Sequence, residues 1–327
     1  MFSPLSLKNT NNKQDFSSGP LFNWVAGKAR FRLRQTVRTA CYNFLHWHKS
    51  PRIFITFALA FILCFLLSGK AVGLAREYET TLQIGEAFIW TFGDGNSIML
   101  SSLLLVLLFG DMPFISGGTP FYLIRMDRKT WLWGQGLYIV LATGIYMAFI
   151  LLATGMVCLR YSFFGNVWSE TAARLAYGRS GYSLAVPVNL KTLEMSSPYE
   201  TMGAVFLLML LYGLLTAFIM LVFNLLKGQL AGVVAVLLFS LYGLLLNPSL
   251  FKTLFGLTEG LVYKANVLTG WLSPLNHATY AMHSFGYDLL PRLWTSCLIF
   301  AVLIILLFLL SLRAVKRYQF IFTGTEG

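Results

Sequence analysis

The side chains that could do chemistry in this sequence are few, and most lie beside apolar runs. Asp111 is the one charged residue inside the predicted membrane spans, near the end of the second. Ionisable groups within a bilayer are costly and are retained for function. A carrier driven by protons or sodium needs buried carboxylates, and a single one at an edge does not supply them. Asp111 is therefore expected to cap an interface or to pair with Arg125 or Arg128. A second group sits in "WLSPLNHATYAMHSFGYD", where His277, Tyr280, His283 and Asp288 follow Pro274. A six-residue spacing, His277 to His283, does not match the i, i+4 spacing of a helical ligand pair, so no metal site is expected. Headgroup-level aromatic and imidazole side chains on a short, partly inserted hairpin fit better.

Other chemistries lack their parts. The sequence holds no G-x-x-x-x-G-K-[ST] loop to cradle phosphates, no H-E-x-x-H and no G-x-S-x-G elbow. "FGDGN", Phe92–Asn96, places an aspartate between glycines and reads as a turn in an outside loop. Cys41, Cys64, Cys158 and Cys297 have no paired spacing and read as small packed hydrophobes rather than a disulfide framework.

One stretch interrupts the apolar pattern in an informative way. In "DMPFISGGTPFYLIRMDRKTWLWGQ", Pro113 ends a span and Gly117-Gly118 permits a sharp turn. Thr119 can cap a new helix with Pro120 at its first position. That short helix would set Phe121, Tyr122, Leu123 and Ile124 beside Arg125, Arg128 and Lys129. It is too short to span and too apolar for a solvated loop, and suits a groove on another protein. A plain interfacial turn is the alternative.

The elements that carry these residues follow from composition. The chain has 327 residues, 57% hydrophobic and 12% charged, with mean hydropathy +0.67. A soluble domain carries about 25% charged residues, so the solvent of this chain is a bilayer. Six runs approach the length of a span: Ile53–Gly69, Ile98–Ile115, Trp131–Cys158, Gly203–Asn224, Gln229–Asn247 and Leu293–Leu312. Basic residues orient them. With the N-terminus inside, the cytoplasmic pieces hold 16 of the 25 Lys and Arg against four acids, and the outside pieces are neutral. The net charge of +12 is thus explained without nucleic acid.

The expected class is an all-α integral membrane protein of six spans with both termini cytoplasmic. A disordered tail over 1–20 precedes an interfacial helix over 21–52, the membrane domain covers 53–313, and 314–327 form a tail. Outside segments lie at 70–97, 159–202 and 248–292. In the lead helix Val25, Ala29, Leu33, Val37 and Cys41 recur every four residues beside the row Arg30, Arg34 and Arg38. This is the pattern of a helix lying in the headgroup region against anionic lipid. Ser50-Pro51 should break it. The long basic lead and the span-length first apolar run do not have the layout of a cleaved signal peptide.

An amphipathic N-terminal helix, six spans, a short helix between spans two and three and an apolar outside segment before span six together resemble the ABC-2 type permease subunits of ATP-binding-cassette exporters. "PFISGGTPFYLIRMDRKTWLWGQGLYI" is similar to the same region of permease-like proteins from Gram-positive bacteria. The resemblance covers Leu21 to Arg317. It implies a connecting helix at Leu21–Lys49 and a coupling helix at Thr119–Lys129, seated in a separate ATPase subunit that binds the ATP and magnesium. It further implies re-entrant outer helices in Pro248–Arg292, with Pro274, His277, Tyr280 and His283 in the exit gate. The unit would pair two permeases, identical or similar, in the cell membrane, and the chain itself would be no enzyme. The outside segment Leu159–Met202 is longer than compact members need. A membrane scaffold without the coupling helix, and a lipid-modifying enzyme with convergent carboxylates or histidines, are the other readings.

Overall fold

The structure is a computed structural model that describes residues 20–115, 123–124, 126–178, 188–256, 258 and 261–319, with side chains from Ala29 onward. Helix α1 runs Pro20–Leu45 and gives way to a 3-10 turn at Trp47–Lys49. Ser50 is extended (φ −99, ψ 109), as a residue before proline prefers, and Pro51 opens α2, Pro51–Glu77. The lead helix thus ends at Leu45, short of the expected 49–52, while the chain turns at Ser50-Pro51.

Helices α2, α5 (Arg128–Cys158), α8 (Pro198–Lys227) and α13 (Leu293–Arg317) are each long and apolar enough to cross a membrane. Two bent pairs raise the number to six if each is one span. In the first, α3 (Glu86–Phe92) meets α4 (Gly95–Phe109) at 87°. In the second, α9 (Gln229–Leu245) meets α10 (Pro248–Leu254) at 70°. The chain is therefore an all-α protein of multi-pass membrane character, with one short parallel pairing among the described residues, β1 (Leu82–Gln83) with β2 (Ser162–Phe163).

Several boundaries differ from expectation. The second span, expected to reach Ile115, ends at Phe109, because Met112 precedes a proline and cannot easily stay helical. The fifth ends at Leu245, two residues short of Asn247, because Asn247 is extended and caps the next helix through its side chain. The first runs on past Gly69 to Glu77, and the sixth continues to Arg317, into the expected tail. The expected tail over 1–20 lies outside the described residues except for Pro20, which begins α1.

α8 is the axis of the bundle. Of its most apolar window 72% is buried, against 22% for α2 and for α13. Around it pack α3, α4, α5, α9 and α13, with α2 outside α4 and α5 and α1 laid along α5. Within a bilayer, burying apolar surface against protein gains little over lipid, so close fit decides which helices meet. Gly228, at φ +94, makes the one-residue turn from α8 to α9 that an L side chain would strain. Beyond the spans, α6 (Glu170–Tyr177) and α7 (Leu190–Met195) follow β2, while α11 (Val262–Leu272), α12 (Pro274–Ala278) and a 3-10 turn at Tyr280–Met282 precede α13. These short elements form a layer over the end of the bundle remote from α1.

The seat of α1 on α5 depends on Gly134. A Cβ there would lie 2.5 Å from Thr39 Cβ and 3.1 Å from the Thr36 carbonyl oxygen. Gly134→Val should lower the stability of the purified protein by about 1–3 kcal/mol, the usual cost of overpacking. Limited proteolysis should then release α1 first, with membrane insertion unchanged.

Candidate functional site at the two ends of the bundle

At one end, α1 is held by polar and aromatic contacts rather than by an apolar stripe. Asn43 Nδ2 donates to Gln135 Oε1 at 3.0 Å, fully buried, and Trp47 Nε1 donates to the Tyr138 hydroxyl at 2.8 Å. The Phe44 and Phe114 rings lie 4.9 and 5.0 Å from that of Tyr138. The protein-facing side of α1 is therefore buried Ala40 and Asn43 with half-buried Phe44, continued by half-buried Trp47 in the 3-10 turn. The row Leu33, Val37 and Cys41 points away from protein, with Leu33 65% exposed. Arg30, Arg34 and Arg38 are exposed beside it. Two separate faces, one for protein and one for the surroundings, replace the single apolar side that the four-residue repeat suggested.

Of the two partners expected for Asp111, Arg125 lies outside the described residues and Arg128 turns its guanidinium to the end of α13. Asp111 itself pairs with Arg52. The reason is topological: α2 and α4 pack antiparallel, so the start of one lies beside the end of the other. Of the predicted short helix, Thr119, Pro120, Phe121, Tyr122 and Arg125 lie outside the described residues. Leu123 packs on the core, whereas Ile124 is 82% exposed. Arg128 and Lys129 do not belong to a separate short helix. Asp127 is extended, and these two residues form the first turn of α5. The Arg128 guanidinium donates to the carbonyls of Lys316 and Tyr318, at 3.1 and 3.2 Å, and so ties α5 to the end of α13. A cleft of about 960 Å³ opens here, with Arg32, Leu33, Arg128, Lys129 and Lys316 among its walls. Arg32 meets Asp127 at 3.4 Å across it.

The opposite end carries the buried polar groups. Glu86 is fully buried and accepts hydrogen bonds from Gln83 N at 3.2 Å, Ser169 N at 2.6 Å and Ser169 Oγ at 2.5 Å. Ser169 in turn caps α6 by accepting from Ala172 N at 3.1 Å. Glu86 falls within the expected outside segment 70–97, and the sequence reading did not single it out. Its signal was a lone acid in the apolar run "IGEAFIW". Asp94, in the bend between α3 and α4, caps α4 through Ser97 N at 3.4 Å, consistent with its reading as a turn residue.

His277 and His283 come together although the chain separates them by six residues. Each ring lies 2.8 Å from Ser296 Oγ, in the first turn of α13. His277 Nε2 also meets the Trp271 carbonyl at 3.0 Å, and His283 Nδ1 the Tyr280 carbonyl at 3.1 Å. Burial holds His277 below the ordinary imidazole value, against the pull of its bond to the Trp271 carbonyl. Burial above all, with the His277 ring and Lys191 adding to it, pushes His283 down to about 4. Lys191 of α7 donates to the His283 carbonyl at 2.8 Å and pairs with Asp288, fastening the 159–202 segment to the 248–292 segment. Tyr280 is buried and stacks edge-on to Phe285 at 5.3 Å. Pro274 opens α12 behind Ser273, which accepts from Asn276 N at 3.4 Å. Ser296 is wholly buried, so its two imidazole neighbours do not make it an accessible nucleophile. Among the described residues no three His, Cys, Asp or Glu side chains converge as metal ligands.

Comparisons with known protein families, with curated proteins and with solved structures return no match.

Glu86→Ala would leave two buried backbone N–H groups and the Ser169 hydroxyl without their acceptor. It should cost about 2–4 kcal/mol, at roughly 1–3 kcal/mol for each unsatisfied group with partial relaxation. Glu86→Gln, which keeps one oxygen acceptor, should cost less than half as much. Thermal unfolding in detergent measures both.

Proposed function

We propose that this chain is the permease subunit of an ATP-driven exporter, its energy supplied by a separate ATPase subunit on the cytoplasmic side. The observation that supports this best is the course of α5. Its 31 residues begin at the turn after the short segment 119–127 and span about 46 Å at 1.5 Å per residue. At the far end the Cys158 thiol reaches the Ile84 carbonyl at 3.7 Å, and the chain continues into β2. One rigid element thus joins the segment that would meet the ATPase to the layer that would close the exit. Along the way it packs on α1, α2, α8 and α13.

In this reading the 119–127 segment is the handle, with Ile124 offering an apolar contact to the partner. The Arg30, Arg34 and Arg38 row rests on anionic lipid of the inner leaflet. The layer holding His277, Tyr280 and His283 is the outer gate. ATP-driven closure of two ATPases would move the handles, and two packings of similar energy would alternate. Two permeases, identical or related, complete the unit. Aromatic-rich spans with few buried charges favour an amphiphilic cargo such as a peptide or lipid.

Purification of the tagged full chain in mild detergent should recover a Walker-motif ATPase at fixed stoichiometry. Ile124→Glu should reduce the recovered ATPase at least about thirtyfold, the loss expected for one apolar hot spot of roughly 2 kcal/mol. Expression and insertion should be unaffected, since Ile124 is exposed. If other ABC complexes survive the same preparation and no ATPase accompanies this chain, the permease reading fails.

A further inference from the structure

The contacts around Ser296 can be counted proton by proton. Four hydrogen bonds run in series: Trp271 carbonyl to His277 Nε2, His277 Nδ1 to Ser296 Oγ, Ser296 Oγ to His283 Nε2, and His283 Nδ1 to the Tyr280 carbonyl. Each needs one hydrogen. A carbonyl only accepts, so His277 must carry its proton on Nε2 and His283 on Nδ1. In their neutral forms the two rings then turn bare nitrogens towards the same hydroxyl. That hydroxyl has one hydrogen to give. Three protons serve four contacts, and one nitrogen faces an oxygen lone pair at 2.8 Å.

We infer that His277, Ser296 and His283 form a binding site for one shared proton, whose uptake completes the chain of hydrogen bonds from Trp271 to Tyr280. An added proton makes one ring an imidazolium, which donates to Ser296 Oγ while the hydroxyl donates to the other ring. A second added proton would leave two N–H groups aimed at one oxygen and a displaced hydroxyl hydrogen, so the site takes one. Burial opposes the charge, and the missing hydrogen bond favours it. Burial outweighs that bond and holds both rings below the ordinary imidazole value, so the site is empty in neutral surroundings and fills in acid.

The charged groups of the packed elements fit this sign. Lys191 disfavours a nearby cation, but its pairing with Asp288 offsets part of that effect. α7 also carries Glu194, and α8 carries Glu200 and Tyr212; the Phe300 ring lies between Tyr212 and His277. α4 brings Asp94 at its cap, α9 brings Tyr242, α11 brings Tyr263 and Lys264, and Arg292 precedes α13. Tyr280 lies beside the trio on its own turn. When the site is empty, Ser296 grips either α12 through His277 or the 3-10 turn through His283. When it is filled, α13 grips both. The acidity on that side of the membrane then sets how firmly the layer is held to the last span. This holds whether or not the chain is a permease.

The test is imidazole nitrogen NMR of the full chain in lipid nanodiscs, labelled at histidine and titrated from pH 8 to pH 4. The sequence has four histidines, and His46 and His48 at the other end serve as internal references. At pH 8 His277 should be protonated on Nε2 and His283 on Nδ1. On acidification both rings should respond together to uptake of one proton. Ser296→Ala removes both the lone-pair conflict and the acceptor for an imidazolium. It should move the midpoint down by at least about one pH unit, a tenfold weaker proton affinity. Should that variant not fold, His277→Phe leaves Ser296 free to donate to His283 alone and should lower the His283 midpoint likewise. Independent uptake of two protons, or an unchanged midpoint in the folded variants, would overturn the inference.

Discussion

A backbone in hydrocarbon cannot leave its N–H and C=O groups unpaired, and most of this structure follows from that. It dictates continuous helices of 25 to 31 residues in four places. It also sets where a helix can stop. The two sharp bends both have a side chain ready at the restart. Asp94 accepts from Ser97 N in the first, and Asn247 accepts from Leu250 N at 3.1 Å in the second. Short polar caps allow the chain to turn through 87° and 70° without orphaning the first amides of the next helix.

With the backbone satisfied internally, the side chains decide which helices meet. α8 is buried on nearly all sides and serves as the axis, while α2 and α13 remain mostly open to the surroundings. The contacts that specify neighbours are a close approach at Gly134 and a few buried polar bonds, such as Asn43 to Gln135 and Asn224 Nδ2 to the Met112 carbonyl at 2.7 Å. A polar bond in a dry interior has no competing water, so it specifies a partner that apolar packing alone leaves open.

The two ends of the bundle differ in kind. One is cationic and open, with ion pairs that remain about half exposed and so contribute little to stability. The other is closed by buried acid, hydroxyl and imidazole groups whose bonds cross between segments distant in sequence. α5 runs from the first to the second.

What the sequence determined by itself is what depends on local periodicity and composition. Membrane character, the approximate spans, the lead helix and its break before Pro51 all come from runs of residues whose fate is set within a few turns. The tertiary structure alone decided the partners. Asp111 meets Arg52 because two helices run antiparallel, a fact outside any local window. Glu86 is buried because Ser169, 83 residues later, brings it a hydroxyl and an amide. His277 and His283 look unrelated along the chain, since their spacing matches no helix face. They converge because the turn after α12 folds back onto Ser296 of the last span. Local patterns report which solvent a segment prefers, whereas the pairing of polar groups is settled by packing between distant segments.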